Sequence, residues 1–317
     1  MILSVSRRTD IPAFYAKWFF KRIEDGFCCV RNPMYPAQVS KVQLTPDVID
    51  CIVFWTKNPQ PMFPYLDKLK AFNYYFQFTI NPYGKDIEPH LPDKNQVMET
   101  FKSLSAKIGK EKVIWRYDPI ILTDKYDMAY HKQKFAEMAA VLAPHTERCV
   151  ISFVDLYKKT QKNMSDVNYV EFTTKLMTEM AESFSKIIKP YGVELQTCSE
   201  VIDLSKFGIT HTKCIDDGVI SKIIGQKLHI DKDKNQRLEC GCVASVEMGA
   251  YNTCLHGCKY CYANFSPVAV KTNTAKHKDE SPFLVGGEME GDKVTDRKMV
   301  TYRRNEQESL FKESDMT

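Results

Sequence analysis

The sequence predicts an α/β fold, a TIM-like (βα) barrel, on three observations. Short apolar, β-branched or aromatic runs recur along the chain, the stretches between them are long enough for helices, and polar residues gather directly after each run. Seven runs fit strands, at residues 2–5, 51–55, 74–80, 113–117, 149–154, 193–197 and 243–248. Helix candidates fill the gaps at 13–25, 61–72, 95–110, 126–142 and 166–189, and Pro190, Tyr191 and Gly192 stop the last of them just before a strand. Runs that are apolar on both faces belong in a parallel sheet covered by helices rather than in a sandwich. A barrel of about 250 residues with an appendage would use the 317 residues fully.

The polar residues that follow the strands are Ser6 to Asp10, then Thr56, Lys57 and Asn58, then Asn81, Arg116 with Asp118, Asp155, and Cys198-Ser199-Glu200. In parallel α/β folds that rim carries the active site, because the loops there converge on one mouth. Lys+Arg 44 against Asp+Glu 40 leaves a net charge of only +4, so no strong field for nucleic acid or an anionic membrane is expected. No apolar run reaches the 18 or so residues of a membrane span, and the expected location is the cytoplasm. Eleven cysteines without an export signal point to metal or redox chemistry rather than to a disulfide framework. After Phe265 the texture turns polar, with nine Lys/Arg and ten Asp/Glu through Thr317. The expected organisation is therefore a barrel over 1–265, including a cluster loop at 251–265, and an extension or lid over 266–317.

The sharpest signal is Cys254-Leu-His-Gly-Cys258-Lys-Tyr-Cys261, three cysteines separated by three and then two residues. Such a loop can wrap three thiolates around one face of a cubane cluster and leave one iron open to a small molecule. Zinc, with His256 or a remote cysteine as fourth ligand, is the other metal the spacing admits.

With Tyr260 directly before the last cysteine, this segment resembles the cluster motif of the radical S-adenosylmethionine superfamily. The flanking Tyr251-Asn252-Thr253 and Tyr262-Ala263-Asn264 are most similar to its spore photoproduct lyase-like branch. Across nearly the whole chain, from Ser6-Arg-Arg-Thr-Asp through Phe54-Trp-Thr-Lys-Asn-Pro, Arg116-Tyr-Asp-Pro and Cys240-Gly-Cys, it also resembles a family catalogued as domain of unknown function 1848, which names no reaction. The first resemblance implies a [4Fe-4S] cluster on Cys254, Cys258 and Cys261. Its free iron would chelate S-adenosylmethionine, Tyr260 would lie near the adenine, and a 5′-deoxyadenosyl radical would form on reduction by a reductase or a flavodoxin- or ferredoxin-type donor. In that superfamily the cluster loop follows the first strand; here it follows the seventh run, so the barrel is expected to be circularly permuted.

Cys198, Cys214, Cys240 and Cys242 form a second group that could hold another [4Fe-4S] cluster or zinc, with His211 in reserve. Cys28, Cys29, Cys51 and Cys149 are expected in the core. Arg116, Asp118 and Asp10 are the candidate catalytic groups, and Tyr260, Arg7, Lys57 and Glu200 the candidate cofactor contacts. The substrate, a small molecule or a nucleic acid, stays open. The rival expectation is a non-catalytic iron-sulfur or zinc protein that associates with nucleic acid through its rim arginines.

Overall fold

The computed structural model describes residues 1–155 and 158–303. Eight strands make one sheet: β1 (Ile2–Val5), β2 (Cys51–Thr56), β3 (Tyr74–Thr79), β4 (Val113–Ile120), β5 (Arg148–Phe153), β6 (Glu194–Cys198), β7 (Thr210–Thr212) and β8 (Val246–Glu247). Every neighbouring pair is parallel, and the order β7-β6-β5-β4-β3-β2-β1-β8 is the order in the chain, with the last strand placed beside the first. Among the described residues no ladder joins β7 to β8.

The alternation along each strand explains why both faces are covered. Leu3, Ile52, Phe54, Phe76, Phe78, Trp115 and Ile151 point outward into one large core with the helices. Ile2, Cys51, Val53, Tyr75, Ile114 and Val150 point the other way, into a second core that includes Ile215, Val219 and Ile220. This inner face is filled by the segment that leads from β7 back to β8. Tyr75 Oη and Gln77 Nε2, on β3, both donate to the carbonyl of Cys214, just past β7, at 2.8 and 2.7 Å. The sheet is therefore rolled, with its far edge brought back against its middle.

The helices are α1 (Ile11–Phe14), α2 (Ala16–Asp25), α3 (Lys94–Ile108), α4 (Met128–Leu142), α5 (Lys158–Asn163), α6 (Thr174–Ile188), α7 (Asp217–Ile224) and α8 (Pro267–Ala275). Asp10, Asp93, Asp127, Thr173, Asp216 and Ser266 cap six of them by accepting a backbone N–H in the first turn. Several expectations are corrected. The 13–25 segment divides at Tyr15 into two helices. The 61–72 segment is a 3₁₀ helix over Gln60–Leu69, since Pro61 and Pro64 remove two backbone donors. The last helix starts at Thr174 rather than 166, because Thr173 takes the extended cap conformation and Tyr169–Val170 pairs with Leu122–Thr123. Strand β7 and helices α7 and α8 escape sequence reading, as does the hairpin of Phe27–Arg31 and Gln38–Gln43.

Residues 266–303 run along the outside of this hairpin. Trp18 Nε1 donates to Ser281 O at 2.8 Å, Cys29 N to Pro282 O at 2.8 Å, and Lys293–Asp296 pairs with Gln38–Gln43. They end at the starts of the strands, where Thr301 Oγ1 and Tyr302 N donate to Asp50 at 2.6 and 2.9 Å.

The outer core is centred on Phe135 of α4 and Phe184 of α6, stacked at 3.8 Å between ring centres and fully buried. Replacing Phe184 with Ala is expected to destabilise the fold by about 3–5 kcal/mol. Urea unfolding followed by circular dichroism would read this, with the native helical signal retained before the transition.

Candidate functional site

The inner face changes character along the strands. Past Ile2, Val53, Tyr75, Ile114 and Val150 it continues as Ser4, Trp55, Gln77, Arg116, Ser152 and Cys198. Above these residues, at the C-terminal ends of the strands, lies a cavity of about 820 Å³. It is lined by Ser6 to Asp10, Trp55 to Lys57, Arg116, Asp118, Ser152, Glu200 and Tyr260, and by all seven cysteines of the two groups. No described residue beyond Ala263 lines it. The volume falls in the range of small-molecule and cofactor sites.

The first cysteine group sits on a pinched loop. Asn252 N donates to Ala263 O at 2.9 Å, and Asn252, at φ 53°, turns its side chain to accept Phe265 N at 2.9 Å and Ser266 N at 3.2 Å. His90 N donates to His256 O and Lys259 N to Ile87 O, which fastens the loop to the 84–90 segment. Gly257, at φ 69°, packs against Pro89 and His90 so closely that a Cβ would lie 3.0 Å from the His90 ring. Asn163, from α5, donates to Cys261 O at 3.0 Å. Cys254, Cys258 and Cys261 are free thiols that feel one another's charge, with no hydrogen bond joining any two of them. Burial pushes the Cys258 thiol up to about 12.

Asp10 is fully engaged. Its Oδ1 accepts Ala13 N at 3.0 Å and Thr56 Oγ1 at 2.8 Å, and its Oδ2 accepts Lys57 N at 2.7 Å. His256 Nε2 lies 2.8 Å from the same Oδ2. Asp10 is thus the clasp between β1, β2 and the cysteine loop, with little capacity left for a ligand. Lys57 Nζ donates to Glu88 at 2.8 Å and lies 5.3 Å from the centre of the Tyr260 ring. Glu88 also binds Lys94 and the Tyr260 hydroxyl, which accepts from Asn81 Nδ2 at 3.1 Å. Burial opposes ionisation of Glu88, but the two lysines outweigh it and hold its carboxyl at about 2.

Across the cavity, Arg116 grips Asp118 through Nε, at 2.9 Å, and Nη2. Its Nη1 donates to Gln77 Oε1 at 3.3 Å and to Cys214 Sγ at 3.1 Å. Asp118 also bonds Ser152. Arg7 is tied to Glu247 at 3.4 Å, and Glu247 further accepts Ser4 Oγ at 3.0 Å. Arg8 lies over the Tyr251 ring at 5.1 Å and donates to Gly249 O. Gly249 has no room for a side chain, since a Cβ would meet Ser6 Oγ at 2.0 Å. Glu200 accepts Phe153 N at 2.8 Å, and burial raises its carboxyl to about 7.

The second cysteine group comes together. Cys198 and Cys214 have sulfurs 2.6 Å apart, and Cys240 and Cys242 line the same wall, near enough for Cys242 to be felt by both Cys198 and Cys240. Among the described residues no three His, Cys, Asp or Glu side chains yet surround one point as ligands of a single ion do. Of the cysteines expected in the core, Cys28, Cys51 and Cys149 are fully buried, and Cys29 is half-buried on the hairpin. His211 bonds Thr197 at 3.0 Å. Sequence reading missed Glu88 and Glu247, the partners of Lys57 and Arg7. Glu88 lies in a loop without a motif, and Glu247 stands inside a strand where alternation alone gives it no role.

No helix among the described residues is long and apolar enough to cross a membrane. Neither a curated protein nor a solved structure matches the chain. The model of a family described as domain of unknown function (DUF1848) matches residues 2–263, which reach from the first strand through the cysteine loop, and the chain belongs to that family.

Proposed function

We propose that the protein is an iron-sulfur enzyme of the radical S-adenosylmethionine type, in which a [4Fe-4S] cluster on Cys254, Cys258 and Cys261 reductively cleaves S-adenosylmethionine to a 5′-deoxyadenosyl radical that acts on a substrate in the cavity. The observation that carries this reading is the pinched loop itself. It presents three thiols to the wall of an 820 Å³ cavity at the C-terminal ends of parallel strands. The donor set fits a cluster with one iron left for a ligand. Two buried polar atoms of the same lining, Thr9 Oγ1 and Trp55 Nε1, have no partner among the described residues, which suits a cavity that holds a further group.

The strand order supports a TIM-like barrel, since a sheet that runs in chain order and returns its last strand to its first needs only the β7–β8 seam to close. With the cysteine loop after β8 rather than β1, that barrel would be circularly permuted relative to ordinary members of the superfamily. Residue roles follow from position. Lys57, fixed by Glu88 under the Tyr260 ring, is placed to meet a carboxylate, and Tyr260 and Glu200 to contact the nucleoside. Arg116 and Asp118 face the substrate side as a paired donor and acceptor, and Asp10 positions the loop. The reading includes a cytoplasmic setting, where eleven free thiols are stable, and a flavodoxin- or ferredoxin-type reductant.

Protein reconstituted anaerobically with iron and sulfide is expected to be brown and, with dithionite, to convert S-adenosylmethionine to 5′-deoxyadenosine; Cys258→Ala is expected to abolish the conversion. Full turnover by that variant, or a reconstituted protein whose electron paramagnetic resonance is unmoved by S-adenosylmethionine, would overturn the reading.

Glu88 supplies a test independent of turnover. Its folded carboxyl, at about 2, lies below its ordinary 4.5, so its stabilising effect is complete above about pH 4.5 and is lost as pH falls toward 2. Glu88→Gln leaves two half-buried lysines facing a neutral amide and is expected to destabilise the protein by about 2–3 kcal/mol near neutrality. It should also flatten the acid limb between roughly pH 4.5 and 2, as read by denaturation at a series of pH values.

A further inference from the structure

The four cysteines of the second group lie around the one break in the described sheet, three of them in the segments that flank it and Cys198 one strand away. Cys198 closes β6, Cys214 lies two residues beyond β7, and Cys240 and Cys242 lie in the segment that runs into β8. Across that seam the described backbone offers a single bond, Val243 N to Ile215 O at 3.1 Å, where every other neighbouring pair of strands has a ladder. The sulfurs gather at this gap. Cys198 and Cys214 stand 2.6 Å apart, closer than unbonded sulfurs rest, and Cys242 and Cys240 line the same cavity. Cys214, Cys240 and Cys242 are buried.

The two cysteine groups differ in a way that separates their chemistry. No hydrogen bond joins the sulfurs of Cys254, Cys258 and Cys261, whereas those of Cys198 and Cys214 stand 2.6 Å apart with Cys240 and Cys242 on the same cavity wall. A single tetrahedral ion with metal–sulfur bonds of about 2.3 Å draws its thiolates into mutual contact. Four thiolates around a divalent ion carry two surplus negative charges, and two guanidiniums face them. Arg116 Nη1 donates to Cys214 Sγ at 3.1 Å, and Arg7 lies near enough to Cys242 for their charges to interact. Ile215 N adds a backbone donor to Cys242 Sγ at 3.4 Å. Among the described residues the four sulfurs are not arranged around one point, so an ion would draw them together.

We infer that Cys198, Cys214, Cys240 and Cys242 bind one zinc-class divalent ion, which staples the seam between β7 and β8. With four sulfur ligands the site has no open position, so its role is structural. The inference does not depend on the first cysteine group.

The test uses the full chain with Cys254, Cys258 and Cys261 all replaced by Ala, so that any metal found belongs to the second group. Grown with zinc(II) and purified anaerobically, this variant is expected to carry one zinc per chain by mass spectrometry of the metal. Cys214→Ser or Cys240→Ser on the same background is expected to lose it. Stripping the zinc with a mercurial reagent and chelator, then restoring thiols, should lower the thermal midpoint by roughly 5 °C or more, and added zinc(II) should restore it. Four irons with sulfide in the triple variant would overturn the inference in favour of a second cluster. Absence of metal together with a Cys198–Cys214 disulfide would overturn it in favour of a redox pair. If the triple variant does not fold, Cys214→Ser in the otherwise native chain decides the matter, since it should lose one zinc and keep the iron; loss of no zinc would sink the idea.

Discussion

The carbonyl of Cys214 takes two buried hydrogen bonds from the opposite side of the sheet, and much of the molecule follows from that arrangement. Tyr75 and Gln77 stand on a central strand, while Cys214 lies just past the edge strand β7. Leaving any of these groups buried without a partner would cost about 1–3 kcal/mol each, so the contact fixes how tightly the sheet rolls. The roll creates an inside. It brings Arg116 against the Cys214 sulfur and sets the strand ends around one cavity. A flat sheet of the same strands would leave Tyr75, Gln77 and Arg116 facing water, with no reason for two neighbouring inward positions to be amide and guanidinium.

Within the roll, apolar and polar residues are sorted by height. Near the strand starts the inner face is closed by Ile2, Val53, Ile114 and Val150 against α7. Toward the strand ends it gives way to charge, with Lys57 and Lys94 matched by Glu88, Arg116 by Asp118, and Arg7 by Glu247. Buried ions survive only in such pairs, so the ring of ion pairs is the condition for a polar cavity rather than decoration of it. The consequence for function is rigidity. Side chains that could meet a ligand are held by second partners before any ligand arrives, which lowers the entropy lost on binding.

Much of this was legible in the sequence, for identifiable reasons. Strands such as Cys51–Thr56 and Tyr74–Thr79 are continuous apolar runs of the length a buried parallel strand needs, and the rim residues after them fell where the cavity opens. That Cys254, Cys258 and Cys261 share one loop at the cavity was legible because their spacing is a local property. What was hidden is set by distant contacts. Thr210–Thr212 is three polar residues long and is a strand only because Cys198 and its neighbours offer it a ladder. The 166–173 segment reads as helix until Thr173 caps α6 and Tyr169–Val170 finds Leu122–Thr123. Asp10 reads as a catalytic acid from its place after β1, yet its four hydrogen bonds, to three separate segments, come from residues up to 246 positions away.

The two cysteine groups also divide the labour of the cavity in a way that spacing alone could not reveal. The first is carried on a loop whose shape is fixed by side chains of asparagine, Asn252 at its neck and Asn163 from α5, so its thiols are displayed rather than buried in strands. The second is contributed by three different parts of the chain, two of which flank the place where the described sheet lacks a ladder. A loop can lose or gain a ligand locally, but a seam held by residues from β6, β7 and the approach to β8 depends on all three elements being in register. Both groups nevertheless line one cavity, so the loop that carries Cys254, Cys258 and Cys261 faces a wall assembled from elements far apart in the chain.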